Sequence, residues 1–307
     1  MQNNSIPLGD IKDTRVPRPW QWQFINRFFA LMQRFFLLVA TPGSGKTIAV
    51  CRVVRRLFEE GRVDRIVVVV HSEHLKFQWM KALSAFGIEI DPKFQNEHCR
   101  ESGGFHGVAV TYQMVSKSPE LHAINCSQKR TVIVGDEPHH NGDGLFRGNA
   151  MRVAFDAAEF VILATGTPFR SDENPITFVT YKDGESQPDF SYSHGEALAD
   201  EVCRPVIFSV YDGYLEWIRR NGQEVGHTMS EEVSQEKAAE MLHVALSPTG
   251  DWLPAVLGKA NDELSKMRAN GHQDAAGIVF ARDIAHARAI ADILRRVTGE
   301  EAVIGHV

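Results

Sequence analysis

The fold class this sequence predicts is α/β, built on a parallel sheet, and three observations carry it. Up to Thr165, short β-rich apolar runs alternate with stretches of helical periodicity. Several of those runs are apolar at every position, as strands covered on both faces require. Between the first such run and the first helical stretch stands Ala40-Thr41-Pro42-Gly43-Ser44-Gly45-Lys46-Thr47, a glycine-rich turn that opens a helix on Lys-Thr.

Taken in order, the strands are Phe35–Ala40, Arg65–His71, Gly107–Thr111, Thr131–Gly135 and Phe160–Thr165. One helix runs from Lys46 to about Glu60, with Val50, Val53, Val54 and Leu57 on one face and Gly61 as its stop; another covers about His74–Phe86. The arginines of the first helix (Arg52, Arg55 and Arg56) read as its solvated face. Strand and helix in alternation imply right-handed crossovers.

The pattern breaks after Phe169. Residues 171–200 are polar and turn-rich, with a hairpin around Asp183-Gly184, and read as an appendage or connector rather than sheet core. A strand at Pro205–Val210 opens a second region, followed by helices at about Gln235–Leu246 and Trp252–Ala269, the latter closed by Gly271. Ala276–Phe280 then reads as a strand, Asp283–Val297 as a helix, and Glu301–Val307 as the start of another strand. The division expected is therefore a domain over 1–200 and a second α/β domain, begun but incomplete, over 201–307.

Composition sets limits. Of the 307 residues 43% are hydrophobic and 23% charged, values of an ordinary globular protein. The net charge of −6 means that a nucleic-acid partner needs a local basic face. Four cysteines with no C-x-x-C pair favour a reducing, cytoplasmic setting. His98, Cys99 and His106 lie near one another but lack zinc-ligand spacing. The opening residues show no signal pattern, and the apolar runs stop short of a membrane span, so no membrane partner is expected.

The chemistry is concentrated at two strand ends. Backbone N–H groups around Gly43, Ser44 and Gly45 can converge on phosphate, helped by the positive end of the helix that follows. Lys46 would set a cation on the β- and γ-phosphates of a nucleotide, and the Thr47 hydroxyl would ligate Mg²⁺. A turn without a ligand is the plain alternative; strand, turn and helix in sequence count against it. Thr131–His140 supplies the complement: an apolar strand with Asp136 and Glu137 at its C-terminal end, where open α/β sheets place ligands. Asp136 would hold Mg²⁺ through water, and Glu137 would orient or deprotonate the attacking water.

Ala40–Thr47 together with Asp136-Glu137-Pro138-His139 resembles the superfamily 2 helicases and translocases, in the DEAH-type subgroup related to type III restriction subunits. Further stretches are similar to that family's motifs in the same order: Arg18–Gln21, Val67–Trp79, Val110–Val115, Leu163–Arg170 and Ala276–Ala287. Ala40 opens the loop as is common there, whereas Pro138 stands where alanine is usual. The resemblance implies a RecA-like ATP-binding domain followed by an incomplete second RecA-like domain. It further implies that Gln21, with Arg18 beside it, meets the adenine edge. His139, Thr165 and Thr167 would couple nucleotide state to the domain cleft, and Thr111, Tyr112 and Gln113 would face a nucleic-acid backbone.

The resemblance implies an ATP-hydrolysing motor on nucleic acid, DNA favoured over RNA; partner subunits stay open. The family's arginine finger lies late in its second domain, and no such motif follows Val297. A finger can be worth roughly 10³–10⁵ in rate, so an amino-terminal portion that binds ATP–Mg²⁺, hydrolyses it slowly and does not unwind alone is expected. The alternative of another class is a nucleotide-dependent, nucleic-acid-binding switch that does not unwind. A small-molecule kinase has no use for the Asp-Glu-x-His or Thr-Gly-Thr-Pro elements.

Overall fold

The structure, a computed structural model, describes residues 6–99, 103–140, 144–169, 174–204, 211–219, 221–299 and 301–305. It divides into two units, Met1–Pro205 and Val206–Val307.

The first unit opens with helix α1 (Pro19–Leu31), then β1 (Phe35–Ala40), α2 (Lys46–Glu59), β2 (Arg65–Val70) and α3 (Glu73–Ser84). β3 (Ile90–Asp91), β4 (Gly107–Thr111), α4 (Tyr112–Lys117), α5 (Pro119–Ser127) and β5 (Thr131–Asp136) follow. The unit closes with α6 (Gly144–Phe155), β6 (Phe160–Thr165), the hairpin of β7 (Tyr181–Lys182) and β8 (Glu185–Ser186), β9 (Phe190–Tyr192) and α7 (His194–Ala199). Seven strands form one sheet in the order β3-β4-β2-β5-β6-β1-β9, every neighbouring pair parallel.

Successive side chains of a strand point to opposite faces, and here both faces are covered. Ile66, Val68, Val70, Val132, Val134, Ile162 and Leu38 pack with Trp20, Phe24 and Phe28 of α1, Val50, Val53 and Val54 of α2, and Trp79 and Leu83 of α3. Val67, Val69, Ile133, Val161, Leu163 and Leu37 pack on the other face with Tyr112, Met114 and Val115 of α4, Cys126 of α5, and Met151 and Phe155 of α6. Apolar residues at consecutive positions of β2, β5 and β6 are thus buried on alternate sides of one layer.

Two expectations change in this unit. The polar segment after Phe169 does contain the hairpin, with Asp183 and Gly184 at positive φ as a tight turn demands. It then returns to the main sheet: β9 pairs with β1, Leu38 opposite Phe190 and Ala40 opposite Tyr192, so the segment supplies an edge strand. Of the arginines of α2, Arg52 and Arg55 are anchors, while Arg56 is exposed as a solvated face requires. Arg52 reaches Asp13 at 2.8 Å and the Arg15 carbonyl at 2.6 Å, Arg55 donates to the carbonyls of Gly9 and Phe86, and Arg56 lies over the Phe29 ring at 3.9 Å. Arg52 and Arg55 bind down residues 9–15 by donating to the carbonyls of Arg15 and Gly9. Arg18–Gln21 is the start of α1, where Pro19 at the first turn suits a helix.

The second unit contains the antiparallel hairpin of β10 (Tyr214–Ile218) and β11 (Glu224–Thr228), then α8 (Gln235–Ala245), α9 (Trp252–Ala269) and α10 (Ile284–Thr298). Leu215 of the hairpin packs with Met241 and Ala245 of α8, and Leu253 and Leu257 of α9 pack with Ile290 and Ile293 of α10. The helices stand where their periodicity places them. The strands do not: Ala276–Phe280 and residues 301–305 have no strand pairing, and the expected Pro205–Val210 lies outside the described residues, as do residues 306 and 307. A strand exists only by pairing, and among the described residues nothing pairs with these segments. Among the described residues no helix is long and apolar enough to cross a membrane.

Candidate active site

The sheet order brings three strand ends together. β6 lies between β5 and β1, with Asp136 opposite Ala164 and Val39 opposite Thr165, so the loop after β1 and the acids after β5 flank one strand end. The loop turns through Gly43 at φ 78° and Gly45 at φ 96°, left-handed conformations that glycine takes without a Cβ penalty. Gly43 has open space on its side-chain face. Ser44 between them is wholly buried, and its hydroxyl has no hydrogen-bond partner. An orphaned hydroxyl in a glycine cradle at a helix N-terminus fits an oxyanion ligand.

Lys46, the first residue of α2, sends its ammonium to Glu137 Oε1 at 2.6 Å. Glu137 is a non-glycine residue at φ 47°, and its amide donates to the Ala164 carbonyl at 2.9 Å. Such a conformation costs about 1–3 kcal/mol and persists where its surroundings impose it. They do so here: Oε2 accepts from the Thr165 hydroxyl at 2.7 Å and from the Gly166 amide at 3.2 Å. Burial pushes the Glu137 carboxyl up, but the Lys46, Thr165 and Gly166 donors outweigh it and hold the group below the ordinary glutamate value. Glu137 is therefore an anion at neutral pH.

His139 extends the chain of contacts. Its Nδ1 stands 3.0 Å from Thr165 Oγ1 and its Nε2 3.1 Å from Thr167 Oγ1. With the Thr165 hydrogen directed at Glu137, a neutral ring would donate from Nδ1 to Thr165 and accept at Nε2 from Thr167. Loop lysine, strand-end glutamate, histidine and both threonines thus form one network.

Asp136 has a different environment. Burial raises its carboxyl, the Trp79 hydrogen bond opposes that, and the neighbouring Glu137 charge adds to the rise. Trp79 Nε1 donates to Oδ2 at 2.9 Å, and the Tyr112 hydroxyl donates to the Asp136 carbonyl at 3.2 Å. Gly135 is closely approached, since a Cβ there would meet Leu163 Cδ2 at 2.7 Å and the Tyr112 oxygen at 3.1 Å and would have to displace the leucine side chain. Thr47, partly exposed, follows Lys46 in the first turn of α2. A hydroxyl and a carboxylate at adjoining strand and helix ends suit a hard divalent cation that completes its shell with water and phosphate.

The remaining candidates fall into place as follows. Gln21 is buried; its Nε2 donates to the Gly45 carbonyl at 3.0 Å, and its Oε1 accepts from the Arg18 amide at 3.0 Å. Arg18 donates to the Ser44 carbonyl at 2.6 Å. Both therefore brace the phosphate loop. Thr111 is the N-cap of α4, accepting from the Met114 amide at 3.2 Å, and Tyr112 is buried beneath the end of β5. Of those three residues Gln113 is the exposed one. Trp79 went unnoticed in the sequence as a site residue. The spacing of Lys76, Trp79 and Leu83 marks the buried face of α3, but nothing local assigns an acceptor to the indole.

Comparison with known proteins adds to this geometry. An uncharacterized protein of Mycobacterium leprae (strain TN) is 42% identical over 300 residues, covering 96% of this chain and 50% of its own. An uncharacterized protein of Mycobacterium tuberculosis (strain ATCC 25618 / H37Rv) is 42% identical over 292 residues, covering 94% of this chain and 48% of its own. The chain therefore spans about half the length of the curated relatives it matches. Among solved structures, the ATP-dependent type ISP restriction-modification enzyme LlaBIII bound to DNA aligns with a TM-score of 0.53 at 15% identity, covering 93% of this chain and 22% of that one. That likeness shows a shared fold. The family model for the type III restriction enzyme, res subunit, matches residues 14–170, from the segment before α1 through the end of the β6 loop. The chain belongs to that family, among the superfamily 2 helicases its motifs resemble.

Proposed function

We propose that this chain carries the ATP site of a nucleic-acid motor, in which ATP hydrolysis drives movement along DNA. The observation that carries the reading is the network from Lys46 through Glu137 to Thr165, His139 and Thr167. It joins a phosphate-binding lysine to an ionised carboxylate and then to the strand end after β6. A triphosphate would draw Lys46 from Glu137, freeing Oε1 to orient water against the γ-phosphate.

Gly43, Ser44 and Gly45 would hold the phosphates. Thr47 and Asp136 would hold Mg²⁺, which when bound neutralises charge developing on the transferred phosphoryl group. Arg18 and Gln21 border the loop, so contact with adenine there would exchange the Gln21 bond to Gly45 for one to the base. A change at Glu137 would pass through Thr165 to His139 and Thr167. Gln113, beside Thr111 and Tyr112, is the exposed side chain of its group and would be the one to meet a nucleic-acid backbone.

The test is ATP binding and hydrolysis measured alone and with single-stranded DNA, duplex DNA and RNA, using Lys46→Ala as the blank. The expected result is hydrolysis raised most by DNA, with turnover at least about 100-fold lower in Lys46→Ala. Equal turnover in Lys46→Ala, or a rate indifferent to every nucleic acid, would overturn the reading.

A further inference from the structure

We propose that Trp79 is a positioning residue for the Asp136 carboxylate and thereby sets how tightly the site takes its divalent cation. The inference rests on the ATP-site reading above and adds to it a residue from a different element, α3.

A buried indole N–H must find an acceptor, because an unpaired one forfeits its solvation without return. Trp79 is 1% exposed, and its N–H is directed at Asp136 Oδ2 across 57 residues of sequence. Among the described residues it is the one side-chain donor to that carboxylate. The backbone beneath is already fixed: Asp136 pairs with Ala164, its carbonyl accepts from Tyr112, and Gly135 is closed in by Leu163 and Tyr112. What remains free is the torsion of the carboxylate, and the indole fixes it.

The character of the donor matters as much as its position. The Lys46 ammonium bonds Glu137, and the direct partner of the Asp136 carboxylate is the indole. Trp79 is neutral: it orients Asp136 without neutralising it. The result is a half-buried carboxylate aimed by a rigid ring, with the Glu137 carboxylate alongside it. Donors of this kind behind a metal-ligating group typically change metal affinity 10- to 100-fold when removed.

The test is Trp79→Phe, which keeps an aromatic ring in the cluster and removes the donor. Mn²⁺ is titrated into the protein with a non-hydrolysable ATP analogue, and free Mn²⁺ is followed by electron paramagnetic resonance. Analogue binding in EDTA is measured in parallel. The expected result is Mn²⁺ affinity lowered about tenfold or more, metal-free nucleotide affinity unchanged within about twofold, and no further loss when Trp79→Phe is added to Asp136→Ala. Mn²⁺ affinity within about twofold of the parent overturns the inference.

If Trp79→Phe does not fold, benzothienylalanine introduced at position 79 keeps the bicyclic shape without the N–H, and the same criteria apply. Failure of the underlying reading has a different signature: a parent protein that takes no nucleotide, or whose Mn²⁺ affinity is untouched by Asp136→Ala, overturns both.

Discussion

The two units contrast in what their strands lie against. In Met1–Pro205 the strands carrying the site are central: β5 and β6 each have parallel neighbours on both edges and helices on both faces. In Val206–Val307 the described pairing is a single hairpin, and the helices bury two small clusters, Leu215-Met241-Ala245 and Leu253-Leu257-Ile290-Ile293. Site geometry is held to tenths of an ångström only by a closed core, since a packed interior resists displacement. The candidate site lies where the core is closed.

The largest expected effect that could break this contrast comes from matched truncations. Leu38, wholly buried between β6 and β9, should cost about 2–5 kcal/mol as Leu38→Ala. Leu257, in a four-residue cluster that can relax around the gap, should cost under about 2 kcal/mol as Leu257→Ala. Hydrogen exchange read peptide by peptide distinguishes them: Leu38→Ala should lower protection across β1, β5 and β6, and Leu257→Ala only in α9 and α10. Comparable losses confined to each unit would show the second to be as tightly built as the first.

A smaller effect sharpens the same point through pH. Burial, with a further push from the Arg65 charge, lowers His122 from 6.5 to about 4. Its ring packs near Phe94 and Phe155, and Nε2 meets Asn96 Oδ1 at 3.2 Å. A histidine held neutral when folded takes up a proton on unfolding, so its contribution is complete above pH 6.5. That contribution is lost as pH falls from 6.5 towards 4. The span sets an upper size of about 3 kcal/mol. Urea unfolding at pH 7.5 and pH 5 should show the acid loss in the parent and a smaller one in His122→Gln. Equal losses would place the acid sensitivity elsewhere.

How far the sequence could be read follows from the same physics. β1, β4 and β6 have the limits their apolar runs imply, because burial on both faces writes itself as a continuous run. β9 has three residues and β10–β11 mixes exposed with buried positions, so neither stands out from its polar surroundings. Within the site, Lys46, Asp136, Glu137 and His139 were legible since each lies in a local string tied to a strand end. Trp79 was not, because its meaning depends on a donor and an acceptor that only the fold brings together. The inward turn of Thr111 and Tyr112 is a helix cap and a buried ring, both properties of α4 that a six-residue helix announces weakly.

The smallest expected effect falls on the segment where sequence and structure part most clearly. A strand at Ala276–Phe280 with covered faces would bury its side chains, and removing the phenylalanine ring would cost about 3–5 kcal/mol. In the structure Ile278 is 79% and Phe280 80% exposed. An exposed side chain away from caps and networks changes stability by no more than about 0.5 kcal/mol when replaced. Phe280→Ser and Ile278→Ser should therefore leave the unfolding of α9 and α10 unchanged when followed by hydrogen exchange. The two outcomes differ several-fold, so one measurement decides between a paired strand and an unpaired one. A loss above about 1 kcal/mol would mean that this segment is covered in solution and that the second unit closes its core as the first does.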